Sequence, residues 1–404
     1  MLLSSTVGYS YTLLYEVLVL QNLRSLFSIN HLLAGFTAVL IGYASSVIII
    51  IQAASAAGAS TELITHWMFA LGLVMGVSSI ALSWFYKQPV LTAWSTPGAA
   101  MLILILGDYT VTTALGAFVV TGLMIMATGF IKPIVSALER VPPALAAAML
   151  GAIVLPFCVD AFAMLATESV VFIAMLIAYI ATKRLAPKYT MLALVVVGIS
   201  SAIIAGAFDS TSLNLSISSA KWLTPEFDLM AILNISLPLY LVSMLSQNLP
   251  GISMIKSFGY QPSVKPILTS TGAATAGFAP FGVFAVNLAA ISAALVLNED
   301  VDKNKDKRYL AAIWAGVFYI IAGLWAPLVV DIFVALPSYV GVILAGFALL
   351  GTLVMCLQTA FQTEADREAA LFTFVITLSG VTFIGLNATL IGLLIGLLYK
   401  RLFK

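Results

Sequence analysis

Charged residues are scarce in this 404-residue chain: Asp, Glu, Lys and Arg make up 9% of it and hydrophobic residues 62%. Soluble proteins carry roughly a quarter charged residues, so this composition excludes a soluble protein. The sequence also lacks the alternating segments of about ten residues that build an outer-membrane barrel. Its long apolar runs, separated by short polar breaks, predict an all-α integral membrane protein.

Cysteine is nearly absent too. The two cysteines, Cys158 and Cys356, lie in apolar segments and have no metal-site spacing. We interpret both as small core residues and predict neither a metal nor a cofactor. The formal net charge of +1 gives no electrostatic signal for nucleic acid.

Carboxylates inside the apolar runs are missing as well, although such groups usually mark proton or sodium pathways. This absence argues against a rotary or redox pump and against a fixed cation site. It favours a neutral polar cavity for an anion that brings its own proton. No Ser/His/Asp set, metal cluster or HExxH spacing lies in the runs, so we predict no enzymatic activity. If a residue carries the proton, three acids near the outer ends of the spans would have to reach inward: Asp108, Asp160 and Asp331.

The basic residues predict how the chain crosses the membrane. About fourteen spans, the first from roughly Leu32 to Ala57, place seventeen of the eighteen Lys and Arg residues on one side. Only Lys221 is left on the other side. Because basic residues are retained in the cytoplasm, we predict that both termini are cytoplasmic. Residues 1–24 lack the features of a signal peptide and are predicted to be a poorly defined extension.

The two halves of the chain echo each other. Three pairs recur at a near-constant offset: Gln52 and Gln247 at 195 residues, Pro142 and Pro337 at 195, and Pro89 and Pro280 at 191. Seven spans is an odd number, so the second copy would run through the membrane upside down. We predict inverted repeats over 25–220 and 221–404, the architecture of secondary transporters with a mid-membrane site. The alternative is accidental alignment, which any Pro- and Gly-rich bundle can produce.

The third predicted span is broken by two prolines, Pro89 and Pro97. The residues between them, from Val90 to Trp94, favour an extended chain. Ser95 or Thr96 can then cap a half-helix that starts inside the membrane. Its free N–H groups and positive dipole end would attract a carboxylate or another anion.

The tenth predicted span offers a partner for this break. Pro280 and Gly282 interrupt it, the stretch from Val283 to Val286 can extend, and Asn287 can cap a half-helix that begins after it. Two half-helices from opposite repeats would then form one polar focus, unless these breaks are ordinary kinks. Phe284 could stack on an aromatic ligand, although such residues more often belong to the core.

Several amides and hydroxyls could complete the site. Gln247 and Asn248 close the eighth span, where buried amides are costly unless they are hydrogen-bonded. They either line a site or join helices, and Ser45 and Gln52 in the first span present the same choice.

The residues from Pro89 to Gly98 (PVLTAWSTPG), together with Gly42-Tyr43 and the stretch from Gly272 to Phe278, resemble the benzoate/proton symporter (BenE) family of bacterial inner membranes. A more distant similarity is to the uracil/proton symporter fold, in which seven-plus-seven inverted repeats form a core and a gate domain. In that fold the third and tenth spans carry short strands and the eighth supplies a substrate-binding acid. This chain has Gln247 and Asn248 there instead.

The resemblance implies an inner-membrane symporter that imports benzoate or a related aromatic carboxylate with protons, and by analogy a homodimer. The alternatives are a transporter of another small anion or a nucleobase on the same fold, and an anion channel. The candidate substrate-binding residues, taken from the broken spans and their neighbours, are Thr92, Trp94, Ser95, Thr96, Gly98, Gln247, Asn248, Phe284, Asn287, Ser45 and Gln52.

Overall fold

The computed structural model describes residues 27–131, 133, 138, 140–208, 213–290 and 292–403. The predicted extension, residues 1–24, lies outside these described residues. The first half forms α1 (Ile29–Ala56), α2 (Thr61–Tyr86), β1 (Thr92–Trp94), α3 (Thr96–Ile105), α4 (Val111–Phe130), α5 (Pro143–Thr167), α6 (Ser169–Leu185) and α7 (Thr190–Ile204).

The second half begins with α8 (Leu229–Ser257), which contains two π-helical turns, Ile232–Ser236 and Met244–Asn248. It continues through α9 (Val264–Phe278), β2 (Val286–Leu288), α10 (Ala293–Leu297), α11 (Tyr309–Leu324), α12 (Ala326–Val334), α13 (Ser338–Phe361), α14 (Arg367–Ser379) and α15 (Ala388–Leu402).

Eight helical segments among the described residues are long and apolar enough to cross a membrane. They comprise α1, α2, α4, α5, α8 and α13, together with the stretches Pro187–Ile204 and Lys305–Leu324 that contain α7 and α11. The prediction of an all-α membrane bundle is therefore confirmed. The count of fourteen spans remains a prediction, because several helices, α10 among them, are too short to cross on their own.

The most extensive helix contacts join the two halves of the chain: α2 packs on α11, α4 on α9, and α5 on α13. Glycines make the first two contacts close. A Cβ added at Gly72 would lie 2.7 Å from the Cα of Gly323, and one added at Gly272 would lie 2.7 Å from the carbonyl oxygen of Gly122. Small residues let membrane helices approach until their backbones touch, which maximises van der Waals contact.

The two strands meet between the halves and form an antiparallel pair in which Ala93 faces Asn287. The extended segment predicted for the third span is confirmed. The details of the tenth span were wrong, because β2 begins at Val286 rather than Val283. Asn287 lies within the strand and caps no helix, and α10 begins only after Ser292.

Residues 213–228 run without regular structure across one end of the bundle, and we call this segment the strap. Its backbone N–H groups donate to the ends of three helical elements: Ser218 to Leu324 O at 2.9 Å, Leu223 to Pro280 O at 3.0 Å, and Glu226 to Thr112 O at 3.0 Å. The strap therefore ties α11, the turn after α9, and α4 together at this end, which we call the strap face.

Candidate functional site

The N-terminus of α3 is built by the break in the chain at Pro97. Ser95 is fully buried in extended geometry, and its Oγ accepts a hydrogen bond from the N–H of Gly98 at 3.0 Å. Pro97 has no N–H to leave unpaired, which suits the first turn of a helix. Ser95 thus satisfies one orphan donor, and α3 presents its positive end inside the bundle. This confirms the predicted cap at Ser95, with Thr96 as the first helical residue.

Thr92 holds β1 against α2. Its hydroxyl donates to Met75 O at 3.0 Å and bonds to the hydroxyls of Ser78 at 2.6 Å and Ser79 at 2.9 Å. The Oγ of Ser79 also accepts from the N–H of Thr92 at 3.0 Å. The hydroxyl of Thr92 is therefore fully engaged in positioning the strand, although the sequence predicts it as a ligand-binding group.

Trp94 is held by α1. Its indole N–H donates to Ser46 Oγ at 2.8 Å, and that hydroxyl donates to Gly42 O at 2.8 Å. The ring packs edge-on against Tyr43, with 4.8 Å between centroids. The residues before the α3 cap are thus locked by α1 and α2, which fixes the position of the helix end.

The second strand is held in a similar way, through its backbone. Asn248 Oδ1 accepts from the N–H of Leu288 at 3.1 Å, and Thr275 Oγ1 accepts from the N–H of Val286 at 2.9 Å. Asn248 therefore joins α8 to β2. Between these two anchored positions lies Asn287, which is fully buried, and neither polar atom of its side chain has a hydrogen-bond partner among the described residues.

The face of α8 that meets α3 carries further polar groups. Leu239 packs so closely on Gly98 that a Cβ there would lie 2.7 Å from Leu239 Cδ1. One turn later, the hydroxyl of Ser243 is buried and has no partner in the described chain. Gln247 is half-buried, makes no hydrogen bond with described residues, and sits in the second π-helical turn. Such turns occur frequently at functional sites.

The three other predicted residues make local contacts. Ser45 donates to Gly42 O within α1 at 3.0 Å, as packing serines do. Gln52 lies near Gly341 of α13. Phe284 is buried edge-on against Phe118 at 6.1 Å, so the structure places it in the core.

The three predicted proton carriers are not near the strands. Asp108 and Asp160 are exposed, and Asp331 accepts from the N–H of Asn214 in the strap at 2.9 Å. Among the described residues, no acidic side chain hydrogen-bonds to any of the candidate residues Ser95, Thr96, Ser243, Gln247 and Asn287. Asp108 and Asp331 sit at helix ends, and Asp160 lies on the outer surface of α5. The three acids thus lie at the surface or at helix ends, as the sequence analysis placed them, and a role in proton coupling stays a prediction.

Two residues that the sequence analysis did not select adjoin this group. Ser243 carried a usable signal, because it lies one turn before Gln247 on the same helix. Tyr43 was quoted only as part of a motif, and its burial beside Trp94 depends on the packing of α1 against β1. Neither position can be separated by sequence alone from the many other small or aromatic residues in the apolar runs.

A second polar cluster, which we call the latch, lies where the start of α8 meets the turn before α15. Asn387 donates from its backbone N–H to Asn234 Oδ1 at 2.9 Å and from its side-chain amide to Asn234 O at 2.6 Å. Asn234 Nδ2 in turn donates to Gly385 O at 2.6 Å and to the hydroxyl of Tyr109 at 3.1 Å. Asn234 lies in the first π-helical turn of α8.

Comparison with known proteins gives a consistent result. The sequence profile described as "Benzoate membrane transport protein" matches residues 25–402. The chain is 43% identical over 365 residues to the inner membrane protein YdcO of Escherichia coli (strain K12), covering 90% of this chain and 93% of that protein. It is 34% identical over 380 residues to the benzoate membrane transport protein of Acinetobacter baylyi, covering 94% and 96%.

Among solved structures, the fold is similar to that of SLC26A9, with a TM-score of 0.64 at 14% sequence identity. The superposition covers 93% of this chain and 65% of the SLC26A9 chain, so this chain spans about two thirds of that structure. At this level of identity the likeness concerns the fold alone.

Proposed function

Because the chain belongs to the benzoate membrane transport family, whose members are membrane transporters and not enzymes, we propose that it imports benzoate or a related aromatic carboxylate together with protons. The observation that carries this proposal is the buried helix end at Ser95 and Thr96, which faces no acidic side chain of the described residues. A fixed carboxylate would repel an anionic substrate, whereas the N–H of Thr96 and the positive dipole end of α3 attract it.

In this proposal the substrate carboxylate binds at the N-terminus of α3, and Asn287 and Gln247 contribute amide groups. Asn287 supports this role because a buried amide without partners costs roughly 1–3 kcal/mol of stability. A ligand that hydrogen-bonds to the amide would recover that cost. Thr92 and Asn248 act indirectly, because they anchor the two paired strands, and the indole N–H of Trp94 anchors β1 to α1.

We further propose that the chain consists of two inverted repeats, over 25–220 and 221–404. The helix pairs support this, because exchanging the halves converts the contact of α2 with α11 into that of α9 with α4. The first four segments of each half would form a core domain, and α5–α7 with α13–α15 a gate. Transport would follow from rocking of the core against the gate around the strands.

We propose, from the distribution of basic residues, that the strap face lies outside the bacterial inner membrane and that both termini are cytoplasmic. In this orientation the latch joins the core to the gate on the outer side. We propose that these four hydrogen bonds hold the transporter closed to the outside, so the latch has to break before substrate can enter.

The test is uptake of radiolabelled benzoate into proteoliposomes, with and without an inward proton gradient. We expect accumulation that an uncoupler collapses. Flux without accumulation would favour a channel. No uptake by correctly inserted protein would overturn benzoate as the substrate and favour another anion or a nucleobase.

The site itself is tested by Thr96→Leu and Asn287→Leu, both of which should abolish uptake while membrane insertion stays normal. Thr167→Leu is the matched control, because Thr167 is exposed at the end of α5 and far from the strands in the chain. Wild-type uptake by both site variants would refute the proposed position of the substrate.

A further inference from the structure

Tyr43 is a buried phenol whose hydroxyl is unused. The residue is 9% exposed, and its hydroxyl has no hydrogen-bond partner among the described residues. Buried hydroxyls of tyrosine usually find a partner, since water is no longer available to them. Tyr240, in α8, follows this rule by bonding to the hydroxyl of Thr128 at 2.6 Å. Tyr43 therefore differs from an ordinary core tyrosine.

The position of Tyr43 relative to α3 is fixed by a short chain of contacts. Its ring lies 4.8 Å from that of Trp94 at an interplanar angle of 61°, and 6.1 Å from that of Tyr319 on another side. Trp94 cannot turn away, because its indole N–H is bonded to Ser46 Oγ. Trp94 directly precedes Ser95, the cap of α3. The phenol of Tyr43 is thus held against Trp94. Trp94 directly precedes the N-terminus of α3, which attracts anions.

We propose that Tyr43 determines specificity for carboxylates by donating its hydroxyl hydrogen to one oxygen of the substrate carboxylate. The other oxygen accepts from the backbone N–H of Thr96 at the start of α3, since the N–H groups of Gly98 and Ala99 already donate to Ser95. This assignment rests on the proposed function and adds a donor from α1 that the transport proposal does not need. A phenol donates strongly to a charged oxygen and less strongly to a neutral carbonyl. The arrangement therefore favours an aromatic carboxylate over a neutral amide of the same shape.

The apolar edges of Tyr43 and Trp94 suit the same ligand. Aromatic rings prefer edge-to-face contact with each other, as this pair already shows. A planar aromatic acid can add a third ring to the group while its carboxylate points to the helix end. An aliphatic acid of similar charge would lose this contact.

The experiment measures equilibrium binding of benzoate and of benzamide to detergent-purified full-length protein, together with thermal unfolding without ligand. For Tyr43→Phe we expect benzoate to bind about tenfold to a hundredfold more weakly, the range for a hydrogen bond to a charged group. The melting temperature should stay unchanged or rise, because the variant removes an unpaired buried hydroxyl. Tyr240→Phe is the matched control, and it should lower the melting temperature while benzoate affinity stays unchanged.

The outcomes separate the two proposals. Unchanged benzoate affinity in folded Tyr43→Phe would overturn this assignment and leave the transport proposal intact. Absence of benzoate binding by the wild type would overturn the transport proposal and this assignment with it. If Tyr43→Phe is not recovered folded, Ser46→Ala provides the second variant, since it releases Trp94 and with it the position of Tyr43. It should weaken benzoate binding more than benzamide binding, and an equal loss for both ligands would overturn the assignment.

Discussion

The close crossing of α4 and α9 gives a prediction for which α9 itself supplies a control position. Gly272 and Gly277 both lie in α9, five residues apart. A Cβ on Gly272 would lie 2.7 Å from Gly122 O and would also strike the backbone of Met126, whereas a Cβ on Gly277 would meet nothing within 4 Å. The same substitution, glycine to alanine, should therefore have different effects at the two positions.

The stability lost in Gly272→Ala can be worked out from the geometry. Ordinary contact begins at about 3.5 Å, so Gly272→Ala requires the two backbones to separate by roughly 1 Å. Backbone cannot rotate out of the way as a side chain can, so neighbouring contacts along the crossing are lost. Overpacking of this kind typically costs about 1–3 kcal/mol, and we expect the upper part of that range. Gly277→Ala should be neutral or slightly stabilising, because alanine is the better helix former.

The assay is reversible unfolding in mixed micelles of mild detergent and dodecyl sulfate, followed by tryptophan fluorescence. The midpoint should shift to lower dodecyl sulfate for Gly272→Ala and stay in place for Gly277→Ala. Equal midpoints for the two variants would refute the backbone contact between α4 and α9.

Two further predictions concern the strap face. Asn387→Asp keeps the side-chain oxygen that caps α15 at Leu390 but loses the amide donor to Asn234 O, which weakens the latch by about 1 kcal/mol. In a background that lacks Cys158 and Cys356, a cysteine placed at position 243 should then react about fivefold faster with an impermeant maleimide added outside. An unchanged rate would show that the latch does not hold the outer side closed. Glu62, at the start of α2, pairs with Lys221 of the strap at 3.4 Å, and protonation of the carboxylate at low pH removes this pair. The melting temperature of the wild type should therefore fall more steeply below pH 4.5 than that of Glu62→Gln, and parallel curves would contradict the pairing.

The first broken span could be predicted from the sequence because every signal in it is local. Two prolines exclude a continuous helix, the residues between them favour a strand, and Ser95 with Pro97 marks a helix start. These signals act within about ten residues and do not depend on the rest of the fold.

The second broken span could not be predicted in the same detail. Gly282 adopts a left-handed conformation, with φ +91°, after a short 3₁₀ turn, and Trp67 fills the space where a Cβ would stand. This delays the strand to Val286, where its register is set by β1, about 190 residues away. Asparagine is a residue type that often caps helices, but the pairing of Asn287 with Ala93 keeps it extended. A tertiary contact therefore overrides the local preference of Asn287.

The contacts between the halves also determine when the molecule can be completed during synthesis. Gly72 and Gly323 are about 250 residues apart in the chain, and chains grow at roughly 5–20 residues per second. The glycine-lined face of α2 therefore waits on the order of 12–50 s in the bilayer before its partner emerges, and α4 waits for α9 in the same way. During that interval lipid or an insertion factor has to cover both surfaces, so substitutions along them should reduce the yield of inserted protein before they affect transport.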